Sequence, residues 1–317
     1  AGQGHAQAAL CGHARGAHAT AATADDEKIE VECAHARYGR PPGADLPRAP
    51  PRARRARGHG EHPVRGVAHL PTMRAMATQA QASTSDDGLA VVIGGSGGIG
   101  TALVHALRAR GHEVLAVGRR TQPAIDYADE GSVQRLGAEI AQRLGEEGRA
   151  LRTLIVATGV LHEGEQVRPE RSWQHLQAEA LQRVFLINTV GPALVMRHLL
   201  PLLPRQGRCV AAFLSARVGS IGDNRLGGWY AYRASKAALN QLVRTASIEL
   251  ARHNKAALCV ALHPGTVDTG LSKPFAKAGL DVRPPEVAAA DLLRVIDGLG
   301  EGGSGCFFDH QGLEVPW

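Results

Sequence analysis

The sequence predicts a single α/β domain, a doubly wound parallel sheet flanked by helices, spanning residues 85–317. Three observations predict it. From Asp86 onward, short apolar runs are separated by Gly and Pro. Strand-like runs alternate with helix-like amphipathic stretches. A glycine-rich turn joins the first strand-like run to the first helix, the βαβ arrangement that holds a dinucleotide pyrophosphate.

Residues 1–84 differ in kind. They are rich in Ala, Arg, His, Gly and Pro, show no sustained apolar periodicity, and read as a disordered basic extension. They hold 11 Lys+Arg against 7 Asp+Glu, so most of the formal +6 belongs to them and little to the folded part. That balance gives the domain no nucleic-acid signature, and the run "RARRAR" reads as a solvated linker before an RNA contact. Residues 62–85 carry Arg, Ser, Thr and Ala without an acid, as an organelle transit segment does; an upstream extension ahead of Met73 or Met76 is the alternative. The expected location is cytoplasmic, or plastid or mitochondrial if that segment is a transit signal. Cys11, Cys33, Cys209, Cys259 and Cys306 form no C-x-x-C pair, which fits reduced thiols and gives no metal site. No uninterrupted apolar run approaches 18 residues, so no membrane span is expected; "ALVMRHLLPLLP" is the nearest.

The elements follow in order. Leu89–Ile93 is a short buried strand, Gly98–Arg110 an amphipathic helix and Val114–Val117 a second strand. In "IGGSGGIG", Gly94, Gly98 and Gly100, with Ser96 and Ile99 between them, let the backbone turn sharply against phosphate oxygens. An acid closing the second strand would bind a ribose 2′-hydroxyl; this chain has Arg119 and Arg120, which suit a 2′-phosphate, so NADP(H) is favoured over NAD(H). "AIDYAD" is expected as a third short strand ending at Asp126, "GSVQRLGAEIAQRLGEEG" as a packing helix, and "LRTLIVATGVLH" as a fourth strand running into Thr158 and Gly159. His162, just beyond, is expected at the mouth of the site without a chemical role.

The chemical residues follow "RCVAAFL", a further strand. Tyr232 and Lys236 stand four apart in a helix starting at Tyr230, hence on one face, whereas Tyr230 is nearly opposite in phase to Lys236. An ammonium ~4–5 Å from a phenol is worth roughly 3–4 kcal/mol to the phenolate at an effective dielectric of about 20. That would bring the phenol from about 10 to about 8, in reach of general acid–base work.

The glycine spacing, "YRASKAALN", "LHPGTVDTGLSKPF" and the closing "DHQGLEVPW" together resemble the short-chain dehydrogenase/reductase family, in particular its C-factor-like subgroup close to sniffer-type carbonyl reductases. The resemblance covers about residues 87–317 and implies a Rossmann-type fold, carbonyl or alcohol chemistry on a small molecule, and a homo-oligomer. It implies that Lys236 also holds the nicotinamide ribose, that Asn188 fixes a water beside that lysine, and that Asp126, followed by Tyr127, meets the adenine. Gly159 survives from the family's usual Asn-Asn-Ala-Gly. Pro264 and Gly265 would pack on the nicotinamide, Val267 would pair with its carboxamide, and Thr269 would touch phosphate. The family's carbonyl-orienting serine falls at position 216, where this chain has Ala216. Ser215 is the favoured substitute, Ser220 lies beyond the glycine, and a site without a working serine stays open. So does a second reading, a nucleotide-binding signalling or regulatory protein with vestigial catalysis. The loop after Phe275 and "EGEQVRPERSW" are expected to shape the substrate pocket.

Overall fold

A computed structural model describes residues 88–271 and 282–317. The basic extension, its transit-like segment and the loop after Phe275 lie outside the described residues. The chain runs β1 (Leu89–Ile93), α1 (Gly98–Ala109), β2 (Glu113–Val117), α2 (Glu130–Glu147) and β3 (Leu151–Val156). Then come α3 (Ala178–Phe185), one π turn (Leu186–Val190), α4 (Gly191–Leu199), β4 (Cys209–Leu214), α5 (Tyr230–His253) and β5 (Ala257–His263). Two-residue strands β6 (Thr266–Val267) and β7 (Val282–Arg283) pair with each other, and α6 (Pro285–Gly298) and β8 (Phe307–Asp309) complete the fold.

Six strands form one sheet in the order β2-β1-β3-β4-β5-β8, and every pairing is parallel. The chain turns outward from β1 to β2, then crosses back to β3 on the other side. The crevice at this switch point, above the carboxyl ends of β1 and β3, is where open α/β sheets bind ligands. Strands buried on both faces read as continuous apolar runs, and β1 and β4 are buried at every residue. Alternate residues supply two cores: Val91, Ile93, Phe213 and Cys259 face the α2, α4 and α5 side, while Val92, Ala212, Val260 and Leu262 face α1 and α6.

"AIDYAD" is not a strand. After Gly118 the chain makes one bridge to Ala124, Thr121 folds its hydroxyl back onto the carbonyls of Gly118 and Pro123, and Ser132 takes up the backbone of Asp126. Local side-chain bonds compete successfully with the ladder here. The stretch Ala178–Leu202 is also more apolar than the sequence suggested, being long and apolar enough by composition to cross a bilayer. Within this fold Val184, Asn188, Thr189, Val195 and Leu199 are buried, as in the core helix of a globular domain.

Candidate active site

The crevice has two lobes, of about 510 and 540 Å³, which share Ala157, Thr158, Gly159, Gly270 and Leu271. The glycine turn forms one wall. Gly94 has φ +83°, and a Cβ on Gly100 would lie 2.0 Å from the carbonyl oxygen of Gly94, so the turn closes only without side chains. A Cβ on Gly98 would meet Cγ2 of Thr269 at 2.8 Å, which brings the loop after β5 directly onto the start of α1. That helix has neither a side-chain cap nor an acid in its first turn, so its N–H groups and positive end face the cleft. These features fit a dinucleotide pyrophosphate.

The second lobe is lined by Gly94, Ser96, Arg119, Asp126 and Tyr127. Ser96 Oγ stands over Gly118, 2.5 Å from where a Cβ there would be, next to Arg119. Arg120 is exposed and outside the lining of either lobe, so the sequence's arginine pair contributes one member. Asp126 caps its own turn through Ala128 N–H, whereas the buried Tyr127 reaches Thr158 Oγ1 at 3.0 Å and lies against Gly191. Its phenol, withdrawn from solvent, is held well above the ordinary range. Across this lobe Arg183 donates twice to Glu163, which keeps that carboxyl below its usual range, with help from Arg119. His162 Nε2 lies 2.9 Å from the Gly270 carbonyl oxygen, a bridge over the cleft.

The first lobe gathers the expected chemical groups: Tyr232, Lys236 and Ser215 line it together with Gly98, Ile99 and Gly100. Pro264, Gly265, Val267 and Thr269 form its far side. Nζ of Lys236 is 5.9 Å from the centroid of the Tyr232 ring and donates to the Leu214 carbonyl at 2.8 Å. A Cβ built on Gly159 would lie 3.5 Å from that Nζ and 3.6 Å from Asn188 Oδ1, so the three residues converge. The electrostatics differ from the expectation for an ion-pair-like couple. Burial pushes the Tyr232 phenol up to about 12 and the Lys236 ammonium down to about 8. Removing both groups from water disfavours both charged forms, and the lysine donates its hydrogen bond to the Leu214 carbonyl.

Ser215 follows Cys209, Ala211 and Phe213 onto the α5 face of β4, and its hydroxyl meets Asn240 Oδ1 at 2.6 Å. Nδ2 of the same Asn240 is buried without a partner. Ser220 is also buried, with Oγ accepting from Asp223 N–H. Asn188 lies outside the lining of both lobes. Its Oδ1 accepts from Val160 N–H, and its Nδ2 donates to Val160 O and Ser235 Oγ. That side chain clamps the turn after β3 to α5.

Two contributors were not apparent in the sequence. Trp229 lines the first lobe edge-on to Tyr232, with ring centroids 6.3 Å apart, and among the described residues it is the one non-glycine with left-handed φ, +54°. The pair of glycines before it signals the turn but not its wall. His263, also lining this lobe, is pushed down to about 4, by burial first and by His310 next.

A family model described as short chain dehydrogenase matches residues 88–279, more than half of the chain. The chain is similar to the C-signal of Myxococcus xanthus, 43% identical over 137 residues, which are 43% of this chain and 78% of that protein. It is 32% identical to a 1-hydroxy-2-glutathionyl-2-methyl-3-butene dehydrogenase of a Rhodococcus species, over 72% of this chain and 98% of the relative. Among solved structures, a carbonyl reductase from chicken fatty liver with NADPH bound superposes with a TM-score of 0.61 at 25% identity, over 73% of this chain and 99% of that one.

Proposed function

The chain belongs to the short-chain dehydrogenase family, and on that premise we propose that it is an NADP(H)-dependent carbonyl reductase acting on a small-molecule carbonyl or the matching alcohol. The observation that carries the reading is the meeting, in one lobe, of Tyr232 and Lys236 with the open N-terminus of α1. When bound, the nicotinamide supplies the hydride that reaches the carbonyl carbon. The protein's part is to hold and move a proton. At neutral pH the Tyr232 phenol, raised to about 12, is fully protonated and is a donor, not a base. Its O–H bond breaks as a new O–H bond forms on the substrate oxygen, leaving a phenolate.

Lys236 acts on that phenolate. At about 8 the ammonium is largely charged at pH 7, and with Nζ 5.9 Å from the ring centroid it is worth roughly 3 kcal/mol to a charge spread over that ring at an effective dielectric of about 20. It thus favours the developing anion more than the resting phenol, which is differential binding of the transition state. The same group gains and loses a proton near neutrality and can return one to Tyr232. Asn188 serves by position, keeping Gly159 and Val160 against the lysine.

Ser215 fills the place of the serine missing at 216 through Asn240. With the amide turned, Nδ2 donates to Ser215 Oγ and the hydroxyl hydrogen is released toward the cleft. For the cofactor, Arg119 beside Ser96, with no acid closing β2, supports NADP(H). The chicken enzyme similar to this chain holds NADPH.

Tyr232→Phe tests the assignment. NADPH consumption against a panel of aldehydes and ketones is expected to fall by about 10² or more in the variant; turnover equal to the parent's would refute it. Ala216 and the likeness to C-signal favour a second reading, a dinucleotide-binding signalling protein. NADPH binding without turnover of any carbonyl in that panel would select it.

A further inference from the structure

The N-terminus of α5 lacks a cap of its own. Its N-cap residue is Trp229, whose side chain accepts no hydrogen bond and whose backbone sits in the left-handed region. The capping acceptor comes from far away in sequence. Glu170, in the segment between β3 and α3, is 4% exposed, and its Oε2 accepts from Ala231 N–H at 3.2 Å. Its backbone oxygen accepts from Trp229 N–H at 2.6 Å. One residue therefore grips the chain at both neighbours of Tyr230, one position short of Tyr232. From the other side Arg233 donates to the carbonyls of Gly227, Gly228 and Val218. Val167 and Val184 pack on Ala231 beneath this clamp.

We propose that Glu170 is a positioning residue for Tyr232, fixing the left-handed Trp229 turn so that the indole stands edge-on to the phenol and walls the cleft. A carboxylate removed from water needs donors, and the first turn of a helix supplies unpaired N–H groups with a partial positive charge. The position suits a carboxylate acceptor, and the geometry it fixes lies on the proton donor. The strained turn persists because partners on both sides over-determine it. The claim rests on the catalytic reading of Tyr232 above, but its geometric half can be measured separately.

The test compares Glu170→Ala, Glu170→Gln, Glu170→Asp and Tyr232→Phe, with NADPH and p-nitrobenzaldehyde as probes. Glu170→Ala is expected to lower kcat about tenfold or more, as small misplacements of a reacting group do, while the Kd for NADPH stays within about twofold because α1 and its glycines are untouched. The phenol titration, read as the tyrosinate absorbance missing from Tyr232→Phe, should move from about 12 toward 10 as the Trp229 wall loosens. Glu170→Gln keeps an acceptor oxygen and should restore kcat to within about threefold of the parent. Parent-like kcat and titration in folded Glu170→Ala would overturn the proposal, as would Glu170→Gln as impaired as the alanine variant. Where Glu170→Ala fails to fold, the shorter Glu170→Asp decides, since parent-like behaviour there overturns it too. The titration needs no turnover, so it judges the positional claim even if Tyr232→Phe works like the parent and the catalytic reading fails.

Discussion

Two helices begin at the same crevice, and they begin in opposite ways. α1 follows its N-cap Gly97 with no side-chain cap and no acid in its first turn, which is left open. α5 starts at Trp229, and its first turn is closed by the carboxylate of Glu170. The open end is made by omission: glycines allow the backbone to fold against itself, and the absence of a local anion leaves room for a foreign one. The closed end is made by addition, because an anion from another segment already sits there. The same partial charge at a helix start is thus left open to the crevice in one case and met by a side chain of the fold in the other.

The largest effect should come from breaking the open end. In Gly100→Val, atoms would be forced to about the position of the Gly94 carbonyl oxygen, 2.0 Å from the new Cβ. Fluorescence titration with NADPH is expected to show affinity weakened about a hundredfold or more. Affinity within a few-fold of the parent would mean that the turn can rearrange and that omission is not what shapes it.

A smaller effect is expected beside the open end. Arg119→Ala should reduce the ratio of NADPH to NADH efficiency by about tenfold, the worth of a charge-assisted hydrogen bond. The same substitution at exposed Arg120, which lines neither lobe, should leave the ratio near that of the parent. Equal effects at the two positions would erase the distinction drawn from their placement.

The smallest effect sharpens the closed end. Lys236, brought down to about 8 by burial, lies below its unfolded value, so its contribution to stability is full above about 10.5 and is lost as pH falls through about 8. Tyr232, raised to about 12, has the opposite sign: its contribution is full below about 10 and is lost as pH rises through about 12. Denaturant unfolding between pH 8 and 10 should therefore show the parent gaining up to about 1.4 kcal/mol per pH unit relative to Lys236→Met. Parallel profiles for the two proteins would show that the ammonium is better solvated than its burial implies.

Much of this was legible beforehand because it is local. The strand Leu89–Ile93, the helix after the glycines and the four-residue interval from Tyr232 to Lys236 are matters of period and chain geometry, and a short window of sequence holds them. "AIDYAD" misled because its apolar content matched a strand while Ser132, outside the window, took up the backbone of Asp126 and Asp129 in turns. The sign of the tyrosine's shift was misjudged for a similar reason. A four-residue spacing reports that a cation is near, but it does not report how much water both groups have lost, and here dehydration wins.

By itself, then, the sequence determined the alternation of strands and helices, the glycine turn and the pairing of phenol with amine, since each depends on residues that are neighbours along the chain. The tertiary structure alone decided that Ser215 faces Asn240, that one arginine of two reaches the cleft, and that Glu170 closes a helix 61 residues away. Those outcomes depend on which surfaces the sheet and its helices bring together. Burial and long-range contact are properties of the assembled core, and no short stretch of sequence carries them.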